Sequence, residues 1–350
     1  MKKIIIKGKS IGFGQPCYIV AEMSANHRQN FDQAVKIIKA AKQAGADAIK
    51  LQTYTPDTIT IDCNNEYFQI KGTIWDGRNL YDLYNEAYMP WEWQPKLKEI
   101  ANELGMDLFS TPFDETAVEF LEEMNTPVYK IASFEIGDLM LLRKIARTGK
   151  PIIMSTGMAT LSEIDEAVTT IKKEGGNQLV LLKCTSAYPA PPEAMNLSTI
   201  PHMSQAFSVP VGLSDHTMNV SVPVVAVTLG ACVIEKHFTL SRDIPCPDSS
   251  FSLEPEEFKA MVQSVRVAEK ALGAVHYHIN EYEQKSRNFR RSLFVVHDIK
   301  AGDKFTLKNV KSIRPGYGLH PRYLDDIIGL SASRDIKRGT PLKIDMIKGN

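Results

Sequence analysis

Eight short apolar runs, alternating with segments of helical spacing, constrain the fold of this chain more than any other feature. The runs are rich in β-branched residues and lie at residues 18–20, 48–51, 108–110, 128–131, 152–154, 179–182, 209–212 and 233–235. Between them, apolar residues recur on helical faces at 34–41, 97–104 and 161–171. A strand-helix order repeated along a chain predicts a parallel sheet covered by helices.

The number of repeats separates two parallel architectures. Eight strand-helix units over roughly 240 residues fit an α/β fold of the (β/α)8 or TIM barrel type, for which about 250 residues are typical. The alternative is a doubly wound open sheet, which would carry a glycine-rich phosphate loop after an early strand. The sequence has neither a GxGxxG motif nor a P-loop motif, and the barrel is therefore favoured.

The last part of the chain has a different pattern. A helical segment at 258–272 is followed by a stretch with few apolar residues at 273–291, and then the sequence DIKAG at 298–302 recurs as DIKRG at 335–339. Two copies of a turn-strand unit predict a small, internally repeated domain, whose thin core would require a docking partner. We predict a barrel over residues 1–275, a linker over 276–291 and a small domain over 292–350.

Composition and charge argue against a nucleic-acid partner and against a membrane partner. The 350 residues are 43% hydrophobic and 23% charged, with a formal net charge of zero, whereas nucleic-acid and acidic-membrane partners usually require a basic surplus. No apolar run approaches the ~20 residues that span a bilayer, and Lys7 ends the N-terminal apolar run too early for a signal peptide. Five scattered cysteines without a CxxC spacing indicate reduced thiols, so we expect a cytoplasmic protein.

Each predicted strand ends in polar or charged residues, and in a barrel these ends carry the active site. Lys50 and Lys130 both lie within otherwise apolar strands, and hydroxyl side chains follow several other strands. Lysines and hydroxyls that face one cavity would bind an anionic ligand with phosphate and carboxylate groups. The alternative is that these lysines point outward and extend their ammonium groups to solvent.

Two histidines and two glutamates are the candidates for chemistry. His216 and His237 end consecutive predicted strands, so their imidazoles could share a divalent metal ion and leave open positions for water and substrate. They could equally be ordinary polar residues. Glu22 and Glu135 are candidate acid-base groups, with structural ion pairing to Lys50 or Lys130 as the alternative.

Two loops complete the predicted site. Asp248 follows Pro245-Cys246-Pro247, and proline restricts the backbone of this loop, which could hold the carboxylate over the barrel mouth or lie on the surface. The insert at 72–93 is long for a connection between a strand and a helix and is rich in aromatic residues. It could form a lid or a specificity wall, or pack as a surface helix.

The motifs, taken in order, resemble the sialic acid synthase family, whose members carry a small antifreeze-like SAF domain of β-clip fold at the carboxyl end. The matching segments are residues 21–27, 45–52, 110–113, 129–135, 155–158, 184–189, 212–217, 235–239, 247–248, 251–253 and 314–316. The resemblance covers essentially the whole chain. It implies an enzyme that condenses phosphoenolpyruvate with an amino-sugar aldehyde and releases phosphate.

The same resemblance implies a role for each matching residue. His216 and His237 match the ligands of a divalent metal, manganese or magnesium, Glu22 matches a carboxylate near the reacting carbons, and Glu135 matches the residue that activates water. The residues that match the phosphoenolpyruvate site are Lys50, Thr111, Lys130, Ser133, Ser155, Ser186 and Ser214. Those that match sugar contacts are Gln52, Tyr188, Asp248, Phe289 and Arg314. The resemblance also implies a domain-swapped homodimer in which Arg314 acts on the partner's barrel.

Within the family, three segments resemble the branch that makes pseudaminic acid. They are residues 53–57, the insert from Trp75-Asp76-Gly77-Arg78 to Trp91-Glu92-Trp93, and residues 182–186. The sugar implied is a 2,4-diacetamido-2,4,6-trideoxy hexose of altro configuration. Three alternatives remain open: the N-acetylneuraminate or legionaminate branch, which uses an N-acetylmannosamine-type sugar; a metal-dependent aldolase that uses pyruvate; and an inactive barrel that binds sugar phosphate or ice.

Overall fold

The eight predicted runs form eight parallel strands that close into a barrel in the computed structural model of the chain. The structure describes residues 3–349, and the chain divides into two units, with the boundary between Gly273 and Ala274. An antiparallel hairpin of β1 (Ile4–Ile6) and β2 (Lys9–Ile11) precedes the barrel. The barrel strands are β3 (Tyr18–Glu22), β4 (Ala48–Thr53), β5 (Asp107–Pro112), β6 (Tyr129–Ile131), β7 (Ile152–Ser155), β8 (Leu179–Cys184), β9 (Val211–Asp215) and β10 (Val233–His237).

Helices alternate with the strands, as the apolar spacing predicts. They are α1 (Phe31–Gln43), α2 (Pro56–Ile59), α3 (Leu80–Ala87), α4 (Gln94–Glu103), α5 (Glu115–Glu123), α6 (Leu139–Arg147), α7 (Leu161–Lys173), α8 (Thr199–Phe207), α9 (Ser221–Thr228) and α10 (Pro255–Leu272). The barrel closes where β10 pairs with β3, and every neighbouring pair of strands is parallel. The TIM barrel prediction is therefore confirmed, and the open sheet is excluded.

Local sequence determines where the helices begin. The Asn30 side chain accepts a hydrogen bond from the Gln33 amide at 2.9 Å and so caps α1. Thr160 and Glu163 cap α7 reciprocally, because each side chain binds the other residue's backbone amide. These caps satisfy amides that have no partner within the helix, and they fix the point at which the chain leaves the loop above the barrel.

Two apolar clusters support the barrel. The larger fills the layer between strands and helices, and the smaller fills the lower half of the barrel. Ile4, Ile6 and Ile11 of the hairpin are buried in the smaller cluster together with Phe109 and Val180. The hairpin therefore closes the amino-terminal end of the barrel and leaves its carboxyl end open. This hairpin is not among the predicted elements.

The second unit is built around one antiparallel pair, β11 (Ser292–Val295) with β12 (Val310–Ile313). The segment predicted as a linker contains a two-turn helix, α11 (Glu281–Arg287), and a short helix α12 (Leu324–Ile327) follows β12. The core is small and consists of Leu293, Val295, Ile299, Phe305, Val310, Ile327, Ala332, Ile336, Leu342 and Met346.

The two copies of the repeated sequence pair with each other in this unit. Ile299 and Ile336 exchange backbone hydrogen bonds of 2.9 and 2.8 Å. Lys337 pairs with Asp298 and Lys300 pairs with Asp335, each at 3.0 Å. The contacts are reciprocal, as expected for two related halves around a local two-fold axis. Elsewhere, none of the helices within residues 3–349 is long and apolar enough to cross a membrane.

Candidate active site

A cavity of about 500 Å³ opens among the carboxyl ends of the barrel strands. Most of the polar side chains that line it follow or end a strand: Glu22, Ser24, Lys50, Gln52, Lys130, Ser133, Glu135, Ser155, Ser214, His216, Glu235 and His237. Among residues 3–349, every buried side-chain nitrogen or oxygen without a hydrogen-bond partner belongs to a residue that lines this cavity. Unpartnered buried polar atoms are costly, and their concentration in one place marks a site built for a polar ligand.

Strand register brings the candidate residues together. Glu22 lies opposite Lys50 on one side and opposite His237 on the other. Ser214 lies opposite Glu235. Because alternate residues of a strand face the same side, Glu235 and His237 both face the cavity, while the residue between them faces the helices.

The floor of the cavity is a network of buried charges. Lys50 Nζ lies 2.7 Å from Glu22 Oε2 and 3.6 Å from Glu235 Oε1, and Lys130 Nζ also lies 3.6 Å from Glu235 Oε1. All four side chains are at least 93% buried. The lysines therefore point inward, as predicted. Structural pairing of Glu22 with Lys50 is also present, whereas Lys130 pairs with Glu235, a residue for which the sequence suggested no role.

The two floor carboxylates have pKa values shifted in opposite directions. Burial raises the pKa of Glu22 to about 7, although Lys50 opposes the shift. Burial also acts to raise the pKa of Glu235, but Lys130 and Lys50 outweigh it and hold that pKa below the usual value. Burial lowers the pKa of Lys130, although Glu235 opposes the shift. Burial also acts to lower the pKa of Lys50, but Glu22 and Glu235 outweigh it and raise that pKa. The floor thus sets two lysines against one carboxylate with a lowered pKa and one with a pKa of about 7. Its net charge favours an anionic ligand.

Glu135 lies in a short 3₁₀ turn at residues Ser133–Glu135, directly after β6. Burial raises its pKa to about 7, and Lys130 opposes the shift without cancelling it. Its Oε2 atom is buried and has no hydrogen-bond partner. A carboxylate with a pKa near neutrality and a free oxygen toward a cavity is suited to general acid-base catalysis.

Of the predicted hydroxyl residues, Ser133, Ser155 and Ser214 line the cavity, whereas Thr111 and Ser186 do not. Ser155 Oγ is buried without a partner, and Thr111 Oγ1 lies 3.2 Å from Lys50 Nζ. Ser133 and Ser186 both approach Gly157, whose amide donates to Ser133 Oγ at 3.0 Å. A side chain at position 157 would overlap both hydroxyls, so this glycine permits their close approach. The role of Gly157 was missed from the sequence, although its motif had been noted.

The two histidines lie side by side, with ring centroids 5.4 Å apart. His216 Nδ1 is 2.9 Å from the Thr185 carbonyl, to which it must donate, and this leaves its Nε2 lone pair free. His237 Nδ1 is buried without a partner. Burial lowers the pKa of His237 well below its usual range, and the nearby cations add to the shift.

Burial acts to lower the pKa of His216, but Cys184 and the Thr185 carbonyl outweigh it and raise that pKa above the usual value. In their deprotonated forms, two adjacent imidazoles fit a divalent metal ion with open positions for oxygen ligands. Within residues 3–349, no group of three or more His, Cys, Asp or Glu side chains is arranged to hold a metal. Any metal here would therefore take its remaining ligands from water or substrate.

A buried ion pair lies behind the histidines and fixes their strands. Lys236 Nζ is 2.6 Å from Asp215 Oδ2, and both side chains are 0% exposed. These residues immediately precede His237 and His216 and point toward the helices. The pair therefore joins β9 to β10 at the level of the two imidazoles. Removal of either partner would leave an uncompensated buried charge, which costs about 3–5 kcal/mol.

Two predicted sugar contacts, Gln52 and Asp248, are joined through Ser24. Gln52 Nε2 donates to Glu22 Oε1 and to Ser24 Oγ, each at 3.1 Å. The Ser24 hydroxyl also bonds the Asp248 carboxylate, which accepts a further bond from the Ala25 amide at 3.2 Å. Asp248 therefore lines the cavity, and its alternative placement on an exposed surface loop is wrong.

Aromatic rings form the wall beside the histidines. The Tyr188 ring lies 4.4 Å from the ring of His216. Trp75, from the insert, packs on Tyr188 and Phe251 at 5.9 and 6.3 Å. Its Nε1 donates to the Pro247 carbonyl at 2.9 Å. The insert thus forms one side of the cavity, as the wall hypothesis predicts.

Phe289 and Arg314 belong to the second unit. The Phe289 side chain is 66% exposed, and Arg314 is also exposed on the loop after β12. The lining of the cavity comes from residues 22–251, all within the first unit. The sugar-binding roles of these two residues therefore stay predictions.

Comparison with known proteins assigns the family. The profile of the NeuB family matches residues 37–277, and that of the SAF domain matches residues 290–348. Pseudaminic acid synthase of Campylobacter jejuni subsp. jejuni serotype O:2 is 50% identical over 326 residues, 93% of this chain and 95% of that protein. Pseudaminic acid synthase of Helicobacter pylori is 46% identical over 335 residues, 95% of this chain and 98% of that protein.

More distant relatives cover a similar span. N,N'-diacetyllegionaminic acid synthase of Legionella pneumophila is 37% identical, over 95% of each chain. The crystal structure of the spore coat polysaccharide biosynthesis protein SpsE of Bacillus subtilis matches with a TM-score of 0.67 and 36% identity, over 100% of both chains. The resemblance drawn from the motifs is confirmed, and the chain belongs to the NeuB family.

Proposed function

We propose that this enzyme is a pseudaminic acid synthase, which condenses phosphoenolpyruvate with 2,4-diacetamido-2,4,6-trideoxy-altrose and releases phosphate. The observation that carries the proposal is the cavity floor, where two buried lysines converge beside two adjacent histidines. The relatives named pseudaminic acid synthases are 46–50% identical to this chain, against 37% for the legionaminic acid synthase, and this difference supports the pseudaminic branch. The activity belongs to the transferases that form a carbon-carbon bond.

The floor binds and orients phosphoenolpyruvate in this proposal. Lys50 and Lys130 hold its phosphate and carboxylate groups, and the hydroxyls of Thr111, Ser133, Ser155, Ser186 and Ser214 donate to the remaining oxygens. Two anchored anionic groups fix the plane of the enol. Its terminal carbon then faces the sugar aldehyde at a fixed approach angle, which lowers the entropic part of the barrier.

The aldehyde lies toward the histidines, between Gln52 and Asp248. His216 and His237 would hold a divalent ion, manganese or magnesium, through their free ring nitrogens. When bound, such an ion supplies Lewis-acid polarisation of the aldehyde carbonyl. Gln52, Tyr188 and Asp248 orient the sugar hydroxyl and amide groups, and Glu22 lies between the sugar side and the floor.

The second half of the reaction adds water. Attack by the enol carbon on the aldehyde leaves a cationic carbon that still bears the phosphate oxygen. The former aldehyde oxygen, left as an alkoxide, takes up a proton and becomes a hydroxyl group. Glu135 accepts a proton from water as the oxygen of that water bonds to the cationic carbon, and this proton replaces the one that the alkoxide takes up. The C–O bond to phosphate then breaks, and the new hydroxyl group on this carbon passes its proton to the departing phosphate as the carbon becomes a ketone. The unpartnered Oε2 of Glu135 and its pKa of about 7 support this role.

Three further parts of the proposal extend beyond the cavity. Arg314 and Phe289, exposed in the second unit, complete the sugar site of a partner subunit in a domain-swapped homodimer. The five cysteines are free, which supports a reducing, cytoplasmic setting. Phosphoenolpyruvate and the amino sugar are the expected partners, with no nucleic acid or membrane involved.

The reaction itself is tested with phosphoenolpyruvate labelled with oxygen-18 at the bridging position. We expect phosphate release with the altro sugar, weaker release with N-acetylmannosamine, and the label in phosphate. A label retained in the sugar product would indicate P–O cleavage and contradict the proposed chemistry. Turnover of pyruvate without phosphate would instead support the aldolase.

The pH dependence reports on Glu135. A base must be deprotonated, so with a pKa of about 7 the kcat should fall about tenfold per pH unit below that value and level off above it. Glu135→Gln should lose at least about a hundredfold in kcat and retain its affinity for phosphoenolpyruvate. The exposed Glu166 of α7 gives a matched control, and Glu166→Gln should leave the profile unchanged. If the slow residual turnover of Glu135→Gln still fell below pH 7 as in the wild-type enzyme, the pH dependence would belong to another group.

Metal removal tests the histidine pair. Chelator should abolish activity, and manganese should restore it. Direct titration should show one Mn²⁺ bound per wild-type chain, greatly weakened binding to His237→Ala, and no change for the exposed His202→Ala. Full turnover by metal-free enzyme would exclude the Lewis-acid role.

The second unit is tested by mixing subunits. Arg314→Ala should weaken sugar kcat/KM by about ten- to a hundredfold, the equivalent of roughly 1.5–3 kcal/mol for a charge-assisted hydrogen bond, and spare the KM for phosphoenolpyruvate. Dimers that combine an Arg314→Ala chain with a Glu135→Ala chain contain one site with both residues intact. They should regain part of the activity that each homodimer lacks. No recovery in heterodimers verified by mass spectrometry would exclude action in trans.

A further inference from the structure

The apolar and the charged residues that line the cavity come from different parts of the chain. Between β4 and β5, the residues within 59–87 that line the cavity are apolar or aromatic, except for Thr73. The charged lining residues come instead from the strand ends and from the Asp248 loop. Residues 59–84, which include part of the insert, therefore build an apolar wall, defined here as Ile59, Ile70, Trp75, Leu80, Leu83 and Tyr84, beside the polar floor.

Trp75 joins the apolar wall to the aromatic rings beside the histidines. Its ring packs on Tyr188, which in turn packs on His216. Its Nε1 already donates to the Pro247 carbonyl at 2.9 Å, so the indole has no free donor for a ligand. That hydrogen bond also joins the insert to the loop that carries Asp248. Trp75 is thus fixed in place and presents only apolar surface.

The chemistry of the wall favours one kind of sugar substituent. A methyl group placed against the indole and aliphatic surfaces of this wall leaves water favourably, whereas a hydroxyl group placed there loses its bonds to water and finds no partner on those surfaces. An apolar pocket discriminates against an added hydroxyl by up to about a hundredfold. The sugar in the proposed reaction has a methyl group at C6 and acetamido methyl groups at C2 and C4, whereas N-acetylmannosamine has hydroxyls at C4 and C6.

We propose that the apolar wall selects the 6-deoxy sugar, and that Trp75 is the specificity-determining residue that contacts its C6 methyl group. The inference rests on the proposed function, because the proposed function places the sugar on the side of the cavity that the apolar wall forms. It concerns the substituents and not the ring stereochemistry. A sugar of the same substitution and different configuration would meet the same wall.

The test uses two sugars that differ only at C6, namely 2,4-diacetamido-2,4,6-trideoxy-altrose and its 6-hydroxy analogue. We expect wild-type kcat/KM to favour the deoxy sugar by about ten- to a hundredfold. Trp75→Ala should reduce this ratio to within about threefold of unity, mainly by raising KM for the deoxy sugar, and should leave KM for phosphoenolpyruvate unchanged. Trp75→Phe should retain most of the preference, because the ring remains. Leu80→Asn, which places an amide in the wall, should shift the ratio toward the hydroxylated sugar without any change at Trp75.

Trp91 provides the matched control, because its indole also donates to a backbone carbonyl, that of Tyr54 at 3.0 Å, but it does not line the cavity. Trp91→Ala should leave the sugar ratio unchanged. A wild-type ratio near unity, or an equal loss with both sugars in Trp75→Ala, would overturn the inference and leave the synthase activity standing. Failure of wild-type enzyme to release phosphate with either sugar would instead reject the proposed function itself.

Discussion

The ion-pair network of Lys50, Glu22, Glu235 and Lys130 is the constraint on which the rest of the barrel depends. Buried charges are tolerated only when their partners are held at short range, and here four strands, β3, β4, β6 and β10, must be in register to within a single residue. A slip of one position would turn each side chain toward the helices. The hairpin that fills the lower end of the barrel and the Lys236–Asp215 pair behind the histidines both stabilise that register.

The network also explains why two carboxylates of one type differ in protonation. Glu235 lies between two lysines, whose combined field exceeds the cost of its burial. Glu22 has one lysine at 2.7 Å and shares it with Glu235, so burial prevails and its pKa is about 7. The asymmetry leaves the floor with a surplus of positive charge before any ligand arrives. A dianion entering the cavity therefore meets an electrostatic environment that is already organised for it.

The sequence was sufficient to predict the parts of the molecule that follow strong local rules. All eight barrel strands were predicted because β-branched runs alternate with amphipathic helices, and the histidine pair was predicted because strand ends converge in a barrel. The DIKAG repeat likewise predicted the paired halves of the second unit. The hairpin was missed because strands of three residues, Ile4–Ile6 and Lys9–Ile11, are too short to show a period. The helix α11 was missed because it buries no residue and so has no apolar face.

What the sequence could not determine is which partner each charge takes. Lys130 had Glu135 as its evident neighbour in sequence, yet it pairs with Glu235, more than a hundred residues away. That choice depends on the closure of the barrel, which brings non-adjacent strands to the same floor. The same holds for the apolar wall: composition marks the insert as aromatic, but only the structure shows that Trp75 lines the cavity and that its indole donates to the Pro247 carbonyl. Residues fixed by strand register are thus predictable in position, whereas residues on the insert acquire their role from a contact with a distant loop. A change in the insert can therefore alter the side of the cavity that Trp75 lines while the strands, and the floor they carry, keep their geometry.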